Sequence, residues 1–556
     1  MSRNSESRFA VNPTRIDISR SRFDRNSSIK TSFNVGQIVP FYLDEVLPGD
    51  TFQVKTNKVV RLQTLITPIM DNLYLDTYYF FVPNRLVWSH WKEFNGENTE
   101  SAWIPETEYE IPQITAPAET GWKIGTIADY FGLPTGVTGI SVSALPFRAY
   151  ALIMNEWFRD ENLQDPLVVP VDDAGTTGVN TGTFVTDVAK GGLPYIAAKY
   201  HDYFTSALPA PQKGPDVSIP VSSGANLPVY SLSEKVDISK STAPAQFQSP
   251  NPYTTSNFPF QYLRDSDYAN GIASGSKTFT DSLAGSYAGV PVNLWAVNDG
   301  QVSAATINQL RMAFQIQKLY ERDARGGSRY IEILKSHFGV TSPDSRLQRP
   351  EYLGGNRIPI HVNQVIQQSA TDSTSPQGNV AGQSLTTDSN HDFVRSFTEH
   401  GYVIGVMVCR YNHTYQQGIE RFWSRKSRFD YYWPVFANIG EQAIKNKEIY
   451  AQGTAADDKV FGYQEAWADY RYKPSRVTGE MRSAAPESLD VWHLADDYES
   501  QPYLSASWIQ EDASVVDRVL AVSSSVSNQL FCDLYIQNRT TRPMPMYSIP
   551  GLIDHH

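Results

Sequence analysis

The string GIASGSKT at 271–278 comes nearest to a phosphate-binding loop. That loop needs G-x-x-x-x-G-K-[ST], because backbone N–H groups of a tight glycine turn cradle the phosphates while the lysine reaches their outer oxygens. Here Ser276 stands where the second glycine belongs, LRDSDYAN precedes it in place of a buried strand, and no helical pattern follows. Nucleotide binding is therefore not expected. Neither a G-x-S-x-G elbow nor an H-E-x-x-H zinc helix occurs. Asp554, His555 and His556 have metal-ligating chemistry. A site needs three or four converging ligands and groups that orient them, which three adjacent residues do not supply by themselves. No metal and no cofactor is expected.

Carboxylates are plentiful. Glu156, Asp160, Glu161 and Asp165 crowd one stretch, and Asp496 and Asp497 follow His493. A glycoside hydrolase places two carboxyls roughly 5–10 Å apart across a sugar, a distance that spacing in sequence does not give. With 59 acids in the chain, helix caps, arginine pairs and solvated faces account for most such groupings. Cys409 and Cys532 fit no C-x-x-C or zinc pattern. They read as small buried hydrophobes in a reducing cytosol, with a disulfide between them left open.

The residues best suited to bind something are basic. Positions 1–30 hold Arg3, Arg8, Arg15, Arg20, Arg22, Arg25 and Lys30 against Glu6, Asp17 and Asp24, a local +4 in a chain whose net charge is −12. Lysine and arginine bind phosphates by charge, and bases stack on aromatic rings or guanidinium planes. Phe9 and Phe23 interleave with the arginines. Residues 1–34 are expected to form a basic arm facing DNA, with a solvated tail or packing on a neighbouring subunit as the competing readings. A protein living mainly on nucleic-acid contacts is usually basic overall, so any DNA contact must be local.

Strands must position most of the rest. Val35–Leu43, Thr51–Ile66, Leu73–Val82, Gly401–Tyr411 and Gln529–Gln537 are rich in Val, Ile, Tyr, Phe and Thr, with Pro48-Gly49-Asp50 marking a turn. The long separations between like elements are what Greek-key β folds require. Helices are expected over Leu145–Leu163, with Phe147, Tyr150, Met154 and Trp157 on one face, over Ser303–Arg325, and over Ser328–Phe338. Of the 80 residues in 221–300, 36 are Ser, Thr, Gly, Asn or Pro and only ten are charged. The stretch nonetheless holds Phe247, Tyr253, Phe258, Phe260, Tyr262 and Trp295, too many aromatics for a flexible linker. It reads as an inserted surface lobe, with a disordered loop as the alternative. Aromatics make up 12% of the chain and charged residues only 19%. That balance suits surface that other chains cover. Residues from about 461 to 556, with Trp467, Tyr470, Tyr472, Trp492, Tyr498, Tyr503 and Trp508, are the expected covered region, with ordinary core as the alternative for any one of them. The opening residues lack the apolar core of a secretory signal, and Tyr402–Cys409 is too short to cross a bilayer. A soluble chain made in a cytoplasm, without membrane insertion, is expected.

Longer strings narrow the choice. FDRNSSIKTSFNVGQIVPFYLDEVLPGDTF (23–52), MDNLYLDTYYFFVPNRLVWSHW (70–91), NEWFRDENLQDP (155–166), YHDYFTSALPAPQKG (200–214), ERDARGGSRYIEIL (321–334) and RLQRPEYLGG (346–355) occur in that order. FTEHG (397–401), FDYYWPVFANIGEQ (429–442), FGYQEAWADYRYKP (461–474), LDVWHLA (489–495) and RPMPMYSIPGLIDHH (542–556) follow. The chain thereby resembles the gokushovirus major capsid proteins of Microviridae, single-stranded-DNA bacteriophages, over nearly its whole length outside 221–300. It departs from them at Ala210 and His556, where aromatics are expected.

The resemblance implies a mainly β protein: an eight-stranded antiparallel jelly-roll β-sandwich with long loop insertions and a few helices. The sandwich would comprise 35–220 and 301–556. It implies a structural protein, not an enzyme, of which about sixty copies form a T=1 icosahedral shell around circular single-stranded DNA. The lobe at 221–300 would form three-fold protrusions that meet a host surface receptor, presenting Phe247, Tyr253, Phe258, Phe260 and Tyr262. A scaffolding protein during assembly and a small basic DNA-packaging protein are the other implied partners. The implied location is the virion, assembled in the bacterial cytoplasm. A carbohydrate-binding or glycoside-cleaving jelly roll is the competing reading, since the fold hosts both and the 11 tryptophans suit sugar stacking.

Overall fold

The computed structural model describes residues 19–99, 107–215, 217, 307–369, 371 and 376–547, and the backbone of seven short strands between 222 and 303. The chain divides into two compact units, Met1–Lys213 with Glu321–His556, and Gly214–Tyr320.

Alternation builds the first unit. In β4 (Thr51–Leu62), Phe52, Val54, Thr56, Lys58, Val60 and Leu62 are all buried, while Gln53, Val59 and Arg61 between them are exposed. A pleated strand sends successive side chains to opposite faces, so one face meets the core and the other meets water. β9 (Leu530–Arg542) pairs antiparallel with β4 along its length, and its Leu530, Cys532, Leu534 and Ile536 point the same way. β7 (Thr386–Ser396) lies on the far side of β4. β1 (Ser21–Asp24) and β2 (Ser27–Phe33) run in succession along the free side of β9 and occupy one strand position.

The second sheet reads differently because both its faces are covered. β5 (Leu73–Pro83) and β8 (Gly401–Tyr411) are almost continuously apolar. Leu73, Leu75, Tyr79 and Phe81 with Val403, Met407, Cys409 and Tyr411 face the first sheet. Phe80, Val82, Ile404, Val406 and Val408 face an outer layer built on α1 (Leu145–Ile153), Trp88 and Trp122. Strands buried on both sides carry such runs. β6 (Glu351–Pro359) and β3 (Val39–Val46) complete the sheet.

The sheet orders are β1/β2–β9–β4–β7 and β6–β5–β8–β3. Counting β1/β2 as one, the eight strands in chain order give 1-8-3-6 facing 2-7-4-5. Every link between successive strands crosses from one sheet to the other except that from β5 to β6, which is the double Greek key of a jelly roll. The turn at Pro48-Gly49-Asp50 joins β3 to β4; Gly49 takes φ +90°, and the Asp50 carboxylate accepts from the Leu47 N–H at 3.0 Å. The two longest insertions are 84–350, between β5 and β6, and 412–529, between β8 and β9; a shorter one between β6 and β7 holds a hairpin of Val362–Ile366 with Val380–Ser384.

Two expected boundaries move most. The arm expected over 1–34 is cut short, because residues from Ser21 onward are strands locked to β9. The helix expected to reach Leu163 stops at Ile153 and widens over Met154–Phe158, where Arg159 N–H bonds back five residues to the Met154 carbonyl at 2.8 Å. Asn155 pins that widening by bonding both backbone groups of Leu167, at 2.8 and 2.9 Å. Continuing the α-helix would break both bonds. The later helices run Ile307–Gly326 (α2) and Tyr330–Phe338 (α3).

The second unit contains antiparallel pairings of Ser222–Ser223 with Val302–Ser303, of Val229–Ser231 with Leu294–Ala296, and of Gln246–Gln248 with both Gln261–Tyr262 and Val290–Pro291. Its boundary at Tyr320 falls inside α2.

Candidate assembly and nucleic-acid surfaces

Of the basic residues singled out, Arg3, Arg8 and Arg15 lie outside the described residues. Arg20 donates to the Gly49 carbonyl at 3.2 Å. Arg25 sits at the break between β1 and β2 and binds both oxygens of Asp44, at 2.6 and 2.8 Å. Asp44 is 9% exposed and also accepts from the Tyr42 hydroxyl and the Asn538 amide. Arg25 is thus a structural cation that neutralises a buried carboxylate, and that use takes it out of the group of free basic residues. Arg22 and Lys30 point outward from the first sheet, where the strand register sets them beside Lys55, Arg61 and Arg539. Those three were missed in the sequence because they join Arg22 and Lys30 on one face only through β9, which lies almost 500 residues further along the chain and pairs with both β2 and β4.

Of the lobe residues, Phe247 and Tyr262 fall in the short strands, and Tyr253, Phe258 and Phe260 lie outside the described residues. GIASGSKT and Asp554–His556 lie outside them too.

Most of the carboxylates that prompted a sugar-cleaving reading have structural partners, and Asp165 is exposed. Glu161 pairs with Arg329 at 2.6 Å, Asp160 caps the turn at Asn162 and Leu163, and Glu156 lies 4.0 Å from Arg349. Asp497 accepts from the Gln417 amide at 2.7 Å. Among the described residues no group of three or more His, Cys, Asp or Glu could hold a metal ion. Nor is any helix there long and apolar enough to cross a membrane. Cys409 and Cys532 are free thiols, buried on facing sheets.

The strongest surface feature is apolar. Between Phe422 and Val435 the chain exposes Phe422, Trp423, Phe429, Tyr431, Tyr432, Trp433 and Val435, with Trp423 at 72% and Val435 at 89%. Single exposed apolar residues are ordinary, but a run of this kind marks a surface that something covers. The segment is not slack. Ser427 caps a short turn, the Trp433 indole N–H donates to the Arg428 carbonyl at 2.9 Å, and Tyr432 N–H donates to the Tyr470 hydroxyl at 3.2 Å. Buried Trp467 holds the end of the segment through the Phe436 carbonyl at 2.8 Å. Rings fixed this way lose little entropy on being covered. This exposed run precedes the 461–556 region singled out in the sequence. Within that region Trp467 is core, whereas Tyr470 and Tyr503 are exposed.

Residues 12–552 match the family described as Capsid protein (F protein). The chain is 43% identical to Capsid protein VP1 of Chlamydia phage 1, covering 98% of each chain. It is 44% identical to Capsid protein VP1 of Spiroplasma virus 4 over 94% of this chain and 93% of the other. To Capsid protein VP1 of Bdellovibrio phage phiMH2K it is 41% identical over 99% and 98%. The chain belongs to this family of phage capsid proteins.

A microvirus major capsid protein must hold its insertions firmly on the sandwich, and one node in this capsid protein does so with charge. His413, just past β8, is fully buried between Asp496 and Glu511. Its Nδ1 lies 3.0 Å from Asp496 and its Nε2 3.1 Å from Glu511. Both partners are acceptors, so both ring nitrogens must donate and the imidazole is charged. Burial alone would lower its pKa, but the two carboxylates outweigh that and push it up to about 9. Lys199 stands 3.7 Å from Asp496, so the node holds two cations and two anions.

Proposed function

We propose that copies of this chain close into a T=1 icosahedral shell around circular single-stranded DNA. The rigid, exposed aromatic segment from Phe422 to Val435 carries the reading. It has the composition of an interface core, and its rings stand exposed among the described residues. Shell closure supplies many contacts at once, so each one can be weak, and weak contacts let misplaced subunits leave during assembly. The segment 221–300 forms protrusions at three-fold axes that meet the host receptor. A scaffolding protein guides assembly in the bacterial cytoplasm, and a small basic protein shares DNA contact, which accommodates a net charge of −12.

The test is electron microscopy of the expressed chain with and without its scaffolding protein. Small oligomers alone and closed shells with the scaffold are expected. A stable monomer under both conditions would overturn the proposal.

A further inference from the structure

The first sheet has one face in the core and the other exposed or half-exposed along its length. Register fixes what stands on that outer face. Reading across β2, β9 and β4, successive rows hold Phe531 beside Arg61, then Lys30 beside Asp533, then Tyr535 beside Asn57. The next row holds Gln537 beside Lys55, followed by Asp24 and Arg539 beside Gln53, and finally Arg22 beside Thr541. Rows on one face of a sheet are about 7 Å apart, so six rows make a strip about 34 Å long. Cations occupy five of the six rows.

The strip carries five cations and two carboxylates, a net +3 on a chain of −12. The carboxylates do little to cancel it. Asp533 lies 3.4 Å from Lys30 and Asp24 lies 3.8 Å from Arg539, and all four are well exposed. Exposed pairs of this kind are weak and exchange readily. Arg22, Lys55 and Arg61 have no carboxylate partner among the described residues. Phe531 and Tyr535 stand among the cations with their rings exposed.

We infer that this strip is a binding track for a single-stranded polynucleotide, with phosphates on Arg22, Lys30, Lys55, Arg61 and Arg539 and bases on Phe531 and Tyr535. Aromatic rings on a sheet face, flanked by cations, are a general means of holding unpaired bases. A protein partner fits less well. Lysine and aspartate are depleted from protein interface cores, yet Lys55 and Asp533 lie in the middle of this strip. Inside a shell the polynucleotide is the packaged DNA, so the inference rests on the shell reading and adds that this sheet faces the interior.

The test titrates the full-length protein with a thymidine homopolymer at several salt concentrations. Each phosphate contact in a single strand contributes roughly 0.7 to the slope of log affinity against log salt. Lys55→Gln with Arg61→Gln should therefore reduce that slope by about 1.4. Lys92→Gln with Lys123→Gln, exposed elsewhere, should leave it unchanged. Ultraviolet crosslinking of wild-type, DNA-filled particles should place adducts on Phe531 or Tyr535, and this reading stands even where the double variant fails to fold. An unchanged slope, or a crosslink map that avoids 530–542, overturns the inference. A wild-type chain that forms no particles defeats the shell reading instead, and the titration still decides the track.

Discussion

Raising the pH should loosen this protein through one residue. His413 is held charged by Asp496 and Glu511, with its pKa pushed up to about 9 from an ordinary value near 6.5. A histidine whose folded pKa is raised stabilises the fold fully below the unfolded value, and that contribution disappears as pH climbs through the folded one. The loss therefore falls between about pH 6.5 and pH 9. A separation of about 2.5 units, at roughly 1.36 kcal/mol per unit, amounts to about 3 kcal/mol. The surrounding groups do not offset it. Asp496 also faces Lys199 and the Tyr498 hydroxyl, and the Tyr411 ring lies tilted against the imidazole, the two ring centroids 4.3 Å apart. Asp496 is held below the usual carboxylate range: burial opposes this, but His413 and the other donors prevail. Deprotonation thus leaves two buried carboxylates facing a neutral ring. Urea unfolding of wild type and His413→Gln at pH 6, 7.5 and 9 is the assay. Wild type should lose about 3 kcal/mol more than the variant across that series, because the variant has nothing to titrate there. The variant should also be less stable than wild type at pH 6, by about 3–5 kcal/mol, since one partner of a buried ionic group has been removed. Parallel pH profiles for the two proteins would refute the reasoning.

Replacing Trp423 and Val435, the most exposed side chains of the segment, by serine should leave the urea midpoint within the error of wild type but abolish shells in electron micrographs; normal shells would mean that the segment is not an interface. Arg25→Ala should cost about 2–4 kcal/mol, because Asp44 stays buried without its cation. It should leave the salt slope of oligonucleotide binding unchanged, and a fall in that slope would return Arg25 to the DNA-contacting set. Cys409 and Cys532 should resist thiol reagents in the native protein, since burial pushes both thiols up, Cys532 to about 12. Rapid modification without unfolding would contradict their placement.

How much of this was legible in the sequence varies by element, for physical reasons. Gly401–Tyr411 runs as expected to the residue, because a strand buried on both faces leaves an unbroken apolar run. The turn at Pro48-Gly49-Asp50 was equally plain, since few residues accept the φ that Gly49 adopts. The arm boundary was not. Ser27–Phe33 has too few apolar residues to read as sheet, and its place is set by pairing with β9, some 500 residues away. The widened turn after Ile153 depends on Asn155 bonding Leu167, which helical periodicity does not reveal. The candidate surfaces divide in the same way. Arg22 and Lys30 were visible as charges, but the strip they join exists only once β4 and β9 are paired. The aromatic run at 429–436 was visible as a string, whereas its exposure depends on which rings Trp467 and the short turns leave uncovered.

A density map of particles assembled from this chain tests the central claim most directly. Closed icosahedral shells are expected, with Phe422–Val435 of each copy covered by a neighbour. Dispersed single copies, with those rings in water, would contradict it.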